Sequence, residues 1–158
     1  MSDFEFQSNS EADTERLAAL VAQELPPGTV VALLGTLGAG KTRFVQALAA
    51  ALGIPPGIVV SPTFVIGQEY HGTRSIYHFD AYRLKNDAEF QQLGPEEYFQ
   101  SPGITLIEWA DRVAASLPEE YVEISIAVVG ETQRRFTLRA VGKKYGTVIE
   151  KLSQQVAP

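Results

Sequence analysis

Residues 29–42 read Thr29-Val30-Val31-Ala32-Leu33-Leu34-Gly35-Thr36-Leu37-Gly38-Ala39-Gly40-Lys41-Thr42, and they decide the fold. The stretch from Gly35 to Thr42 satisfies the pattern G-x-x-x-x-G-K-[ST], the phosphate-binding P-loop. Its glycines let the backbone curl until several N–H groups face one phosphate. Lys41 reaches the β/γ-phosphates as a mobile point charge, and Thr42 offers a hydroxyl to magnesium, a hard cation that prefers oxygen. The flanks agree. Thr29 to Leu34 is a short apolar, β-branched run that reads as a buried strand. Arg43 to Leu52 reads as a helix, with Gly53 as its stop and Pro55-Pro56 beyond it.

Outward from this centre, the preceding segment carries Leu17, Leu20, Val21 and Leu25 at helical spacing. Ser10 with Asp13 predicts its N-terminal capping box, and Pro26-Pro27-Gly28 ends it. Phe4 and Phe6 alternate with Glu5 and Gln7 as in a short strand. Downstream, Pro62 sets an extended start. Thr63–Tyr70 and Ser75–Phe79 then form an antiparallel hairpin across His71-Gly72. A short helix capped by Asn86 or Asp87 runs to Leu93 and Gly94, and Pro95 to Phe99 starts another turn. Val122, Ile124, Ile126 and Val128 alternate with smaller or polar residues, a half-buried strand that returns through Arg135–Arg139 with Phe136 and Leu138 inward. Val148, Ile149 and Leu152 predict a final short helix, with a frayed tail from about residue 153. The whole chain, 1–158, reads as a single domain of α/β class.

Composition narrows the function. The chain has 158 residues, no cysteine and a formal net charge of −6. There is therefore no disulfide framework or thiolate chemistry, and an acidic chain is a poor unaided grip on nucleic acid. The acidic start, Met1 to Glu5, lacks the apolar core of a signal peptide, and no apolar run approaches a membrane span. The expected location is cytoplasmic.

Carboxylates stand at two predicted strand ends. Asp80 closes the strand ending at Phe79, and Glu108 closes Ile104-Thr105-Leu106-Ile107, a segment resembling a Walker B strand. Such a group holds magnesium through water or orients the attacking water. Trp109, next in the chain, reads equally as core packing or as a wall near the nucleotide. His71 and His78 read as an exposed turn residue and a packed strand residue. Arg134, Arg135, Arg139, Lys143 and Lys144 gather positive charge late in the chain, either on a solvated strand face or as a contact to adenosine, phosphate or RNA.

Taken together, Gly-x-Leu-Gly-Ala-Gly-Lys-Thr, Ser61-Pro62-Thr63-Phe64, His78-Phe79-Asp80-x-Tyr82-Arg83-Leu84 and Ile107-Glu108-Trp109 resemble the bacterial TsaE (YjeE) family, from about Ser10 to Arg139. The resemblance implies a P-loop NTPase-like three-layer domain whose mixed sheet includes antiparallel strands. It implies an ATPase that acts with TsaB and TsaD to make threonylcarbamoyladenosine in tRNA beside the anticodon, with ATP and Mg2+ as cofactors. Residues 61–64 resemble the family's switch segment. Asp80 and Glu108 match its essential carboxylates, and Thr14 and Arg134 fall near where it lines the nucleotide. One departure is Thr36, where the family carries Asp. A threonine cannot act as an anion or a strong base, so more of the burden falls on Asp80 and Glu108.

The expected site is therefore as follows. Lys41, Asp80 and Glu108 are catalytic. Thr14, Gly38, Ala39, Gly40, Lys41, Thr42, Arg43, Thr63, Trp109 and Arg134 bind the nucleotide, and Thr42, Glu108 and Asp80 face the metal. Hydrolysis is expected to be slow without partners, and tRNA to be met only through the complex. The alternatives are a P-loop small-molecule kinase, which would need lid arginines, and a non-hydrolysing ATP-dependent binding module.

Overall fold

The largely apolar runs at residues 30–33 and 104–107 are buried on both faces of the sheet, whereas residues 121–128 and 134–141 alternate and bury one face, and the helices divide between the two faces. The computed structural model describes residues 2–55, 57–59 and 67–156. Among these, seven strands form one sheet: β1 (Asp3–Ser8), β2 (Val30–Gly35), β3 (Gly67–His71), β4 (Ser75–Asp80), β5 (Ile104–Glu108), β6 (Tyr121–Val128) and β7 (Arg134–Val141). Their spatial order is β1-β7-β6-β2-β5-β4-β3. The central four, β6, β2, β5 and β4, are parallel, while β1, β7 and β3 join by antiparallel pairing. The mixed sheet with antiparallel strands is thus as the sequence predicts.

Three longer helices, α1 (Glu11–Glu24), α2 (Lys41–Ala51) and α5 (Gly146–Val156), cover one face. There Leu17, Val31, Leu33, Phe44, Leu106, Ile124 and Phe136 share a core. The short helices α3 (Asp87–Gln91) and α4 (Pro95–Phe99) and a 3₁₀ segment, Ala110–Ser116, cover the other, around Val30, Ala32, Phe79, Phe90, Ile107 and Val113. This second layer spans only part of the sheet, so Glu123, Ser125 and Ala127 of β6 stay half-exposed, as their polar or small character requires.

The local signals act as chemistry dictates. Ser10 caps α1 by accepting from the Asp13 N–H, and the Asp13 carboxylate accepts from Asn9 N–H at 2.9 Å. Such a cap contributes about 1 kcal/mol. Asn86 caps α3 in the same way, through the Glu89 N–H. Helix α2 begins two residues earlier than the sequence pattern suggests, because Gly40 takes a left-handed conformation (φ 107°) and winds Lys41 and Thr42 into the first turn. The tail expected to fray from about residue 153 is instead helical through Val156. Ile149, Leu152 and Val156 are buried on one stripe of α5, and this apolar face holds the end of the chain down. The 3₁₀ segment was not expected. Its entry depends on Trp109, which has a positive φ of 59°. The expected strand from Thr63 is seen only as β3; Ser61, Pro62, Thr63 and Phe64 lie outside the described residues.

Candidate nucleotide and metal site

The P-loop leaves the carboxyl end of β2, where open α/β sheets place their ligands. Gly35 has a φ of 154°, and a Cβ there would lie 2.8 Å from the Ile126 carbonyl oxygen, so only glycine lets the loop pass this close to β6. The loop then curls around Lys41. Its Nζ donates to the carbonyls of Gly35 (2.7 Å) and Thr36 (3.0 Å) and lies 3.9 Å from the centre of the Trp109 ring, a cation–π contact.

Opposite the loop, β4 and β5 run in parallel, with Asp80 in register with Glu108. Thr42 Oγ1 sits 2.9 Å from both carboxylate oxygens of Glu108 and donates to that group. His78 Nε2 lies 2.5 Å from Glu108 Oε2. Asp80 Oδ1 accepts the Tyr82 N–H at 2.8 Å. Among the described residues, the buried acidic and basic side chains, histidine included, are Lys41, His78, Asp80 and Glu108, and all four stand here. Burial lowers the pKa of Lys41, against the opposing pull of Glu108, Asp80 and Asp111. Burial also pushes the Asp80 carboxyl above its ordinary value, reinforced by the Glu108 charge and opposed by the Tyr82 N–H.

The donors suit magnesium. No three His, Cys, Asp or Glu side chains among the described residues form a ready-made metal cluster. What faces the loop is a hydroxyl beside two carboxylates, an all-oxygen set that fits an ion completing its shell with water and phosphate oxygens.

Two cavities meet at the loop. One, about 290 Å³, opens on Gly38, Lys41, Thr42, Asp80, Glu108 and Trp109. The other, about 550 Å³, is lined by Ser8, Thr14, Ala39, Arg134 and Phe136, and both touch Gly40 and Arg43. In the larger one, the Thr14 hydroxyl lies 2.7 Å from that of Ser8. Arg134 Nε donates to the Ala39 carbonyl (3.1 Å), while its Nη1 donates to the Gly130 and Gln133 carbonyls. The turn after β6 is thereby braced against the P-loop. Arg43 Nη2 meets Glu11 Oε2 at 2.5 Å across the mouth.

The profile of the family described as "Threonylcarbamoyl adenosine biosynthesis protein TsaE" matches residues 8–136. The chain belongs to the TsaE family. It is 40% identical over 155 residues to "tRNA threonylcarbamoyladenosine biosynthesis protein TsaE" of Bacillus subtilis, covering 98% of this chain and 96% of that protein. It is 44% identical over 131 residues to the protein of the same name from Treponema pallidum, covering 83% and 96%. The crystal structure of Bacillus subtilis YdiB superposes with a TM-score of 0.82 at 34% identity, covering 99% of this chain and 97% of that one. The P-loop NTPase-like fold follows.

In this TsaE chain the structure gathers Gly38, Lys41, Thr42, Arg43, Asp80, Glu108 and Trp109 around one cavity, and Thr14, Ala39, Gly40, Arg43 and Arg134 around its neighbour. Thr63 lies outside the described residues. Trp109 is half-buried at the loop, packed against the second core and with its ring centre 4.9 Å from that of Tyr82 at a tilt of 45°. Thr36 contributes its carbonyl, to Lys41. His78 is the packed strand residue that the sequence predicts, fully buried in β4, but its pairing with Glu108 was not anticipated. One signal was available: His78 stands two residues before Asp80, on the same strand face.

Proposed function

We propose that this TsaE-family chain binds magnesium-ATP and hydrolyses it in the service of tRNA threonylcarbamoyladenosine biosynthesis, acting with TsaB and TsaD and meeting tRNA only within that complex. Family membership supports the pathway. The observation that supports ATP chemistry is the convergence of the buried ionisable side chains Lys41, His78, Asp80 and Glu108 on a P-loop. Burying several charges at one place costs stability, and perturbed groups in a cleft mark working sites.

The position of each residue supports the proposed roles. Backbone N–H groups from Gly38 to Thr42 cradle the phosphates. Lys41, already desolvated, exchanges its carbonyl partners for phosphate oxygens and offsets their charge. Thr42, Glu108 and Asp80 would hold the magnesium, which supplies neutralisation of the phosphate oxygens. Asp80, opposite Glu108, orients the attacking water. The larger cavity, with Thr14 and Arg134, takes the nucleoside end. Catalysis of this kind is positioning and electrostatics, and the threonylcarbamoyl transfer belongs to a partner. Phosphate release from ATP, assayed with and without purified TsaB and TsaD, tests the proposal. No release in either case, or phosphate recovered on a metabolite instead of in solution, would overturn it.

A further inference from the structure

Glu108 carries its carboxylate on a two-methylene arm, yet it is gripped on two sides. Thr42 donates from the P-loop side, and His78 Nε2 meets Oε2 from β4, with the imidazole wholly buried. The imidazole is itself held. Its Nδ1 lies 3.2 Å from the Tyr70 hydroxyl, and the two rings are 5.9 Å apart. That hydroxyl lies 2.5 Å from Gln68 Oε1, and Gln68 is the residue opposite His78 in the β3–β4 register. A line of polar contacts thus runs from the edge strand β3 through β4 and β5 to the first turn of α2. Packing does not require it. A buried polar pair is a weak source of stability against an apolar residue of like volume. It does fix direction, as the outer partners of metal-binding groups do elsewhere.

We propose that His78 is a positioning residue that aims the Glu108 carboxylate at Thr42 and at the magnesium-nucleotide, with Tyr70 steadying the imidazole from behind. This rests on the reading of Glu108 as the metal-side carboxylate. His78 touches neither phosphate nor metal and acts through Glu108 alone.

The test compares His78→Leu, His78→Gln and Tyr70→Phe with the wild-type protein. Calorimetry of ATP binding with and without Mg2+ is read beside kcat and KM in the presence of the partner complex. His78→Leu is expected to leave metal-free ATP binding unchanged, to shrink the gain in affinity that Mg2+ provides, and to lower kcat about 10- to 100-fold. His78→Gln, which can return an amide donor near Nε2, restores most of both, and Tyr70→Phe shifts both in the same direction by less. A full Mg2+ gain and wild-type kcat in His78→Leu would overturn the proposal. So would a His78→Gln protein as impaired as His78→Leu, which marks a purely structural role. If the leucine variant does not fold, Tyr70→Phe decides, and unchanged values there overturn it. A wild-type protein with a Mg2+ gain but no turnover overturns only the hydrolysis reading and leaves the binding arm of the test intact. A wild-type protein with no Mg2+ gain overturns both.

Discussion

The hydroxyl of Thr42 lies 2.9 Å from each carboxylate oxygen of Glu108, a contact that joins the first turn of α2 to the end of β5. Its single proton is directed at the carboxylate, which leaves its lone pairs free for a hard cation. On the proposed function, Glu108 and its register partner Asp80 serve the reaction rather than hold the base. Glu108→Ala or Asp80→Ala is expected to retain metal-free ATP affinity and lose turnover, because a group used mainly in the transition state contributes to rate more than to binding. Single-turnover rates at the wild-type level in either variant would remove the assignment.

Lys41 is engaged by the Gly35 and Thr36 carbonyls and by the face of Trp109, beside the smaller cavity, which the proposed function assigns to the phosphates. Lys41→Ala should weaken ATP binding far more than adenosine binding. Titration calorimetry with both ligands checks this, and an equal loss for both would point to a folding defect.

The raised pKa of Asp80 has a consequence for stability. Its folded value lies above the ordinary 3.8, so across that interval the native state holds more protons than the unfolded one. The stability this represents is complete below the unfolded value and is lost as pH rises through the folded value. At neutral pH the ionised Asp80 therefore costs stability. Asp80→Asn keeps a carbonyl oxygen for the Tyr82 N–H and removes the charge. In nucleotide- and metal-free protein it should melt higher than wild type at pH 7, and the difference should shrink as pH falls into the ordinary aspartate range. A lower melting temperature at pH 7 would contradict the burial argument.

Gly35 is held by both conformation and space. At φ 154° an added methyl would lie 2.8 Å from the Ile126 carbonyl oxygen and 3.1 Å from the Ala39 side chain. Gly35→Ala should cost about 1–3 kcal/mol and displace the loop from β6. Chemical denaturation measures the first effect, and ATP affinity reports the second.

What the sequence made legible was local. The P-loop, the strand before it and the helix after it are contiguous, and Glu108 was found because apolar Ile104 to Ile107 announce the strand it closes. His78 depended on two registers, Asp80 opposite Glu108 and Gln68 opposite His78, and neither can be read along one strand. Trp109 was ambiguous for a similar reason. Its backbone is left-handed, and its N–H donates to the Leu33 carbonyl on a strand far away in the chain. Arg134, read as part of a basic cluster and set near the nucleotide by resemblance, is anchored to the P-loop through the Ala39 carbonyl. The tail of α5 was misjudged because the contribution of Val156 comes from packing, whereas end fraying is only a habit of chain termini.

The last prediction concerns dependence on a partner. Fast P-loop hydrolysis generally needs an arginine near the transferring phosphoryl group, supplied from within or by another protein. Arg43, which lines both cavities, is paired with Glu11. Arg134, in the neighbouring cavity, is bonded to the carbonyls of Ala39, Gly130 and Gln133. Arg112 lies over the Tyr82 ring, 5.2 Å from its centre. Each would have to leave its present contacts to serve. Alone, the protein should hydrolyse ATP slowly, and the TsaB–TsaD complex should accelerate it, by as much as ~10³–10⁵-fold if a partner supplies such a group. The formal charge of −6 adds a corollary: free tRNA should bind the isolated chain weakly, with RNA contact arising only in the assembled complex. A self-sufficient ATPase would show a rate that partners do not change. Steady-state phosphate release, measured for the protein alone and then titrated with the complex, separates the two, and a flat titration with assembly verified independently by sedimentation would rule out partner activation.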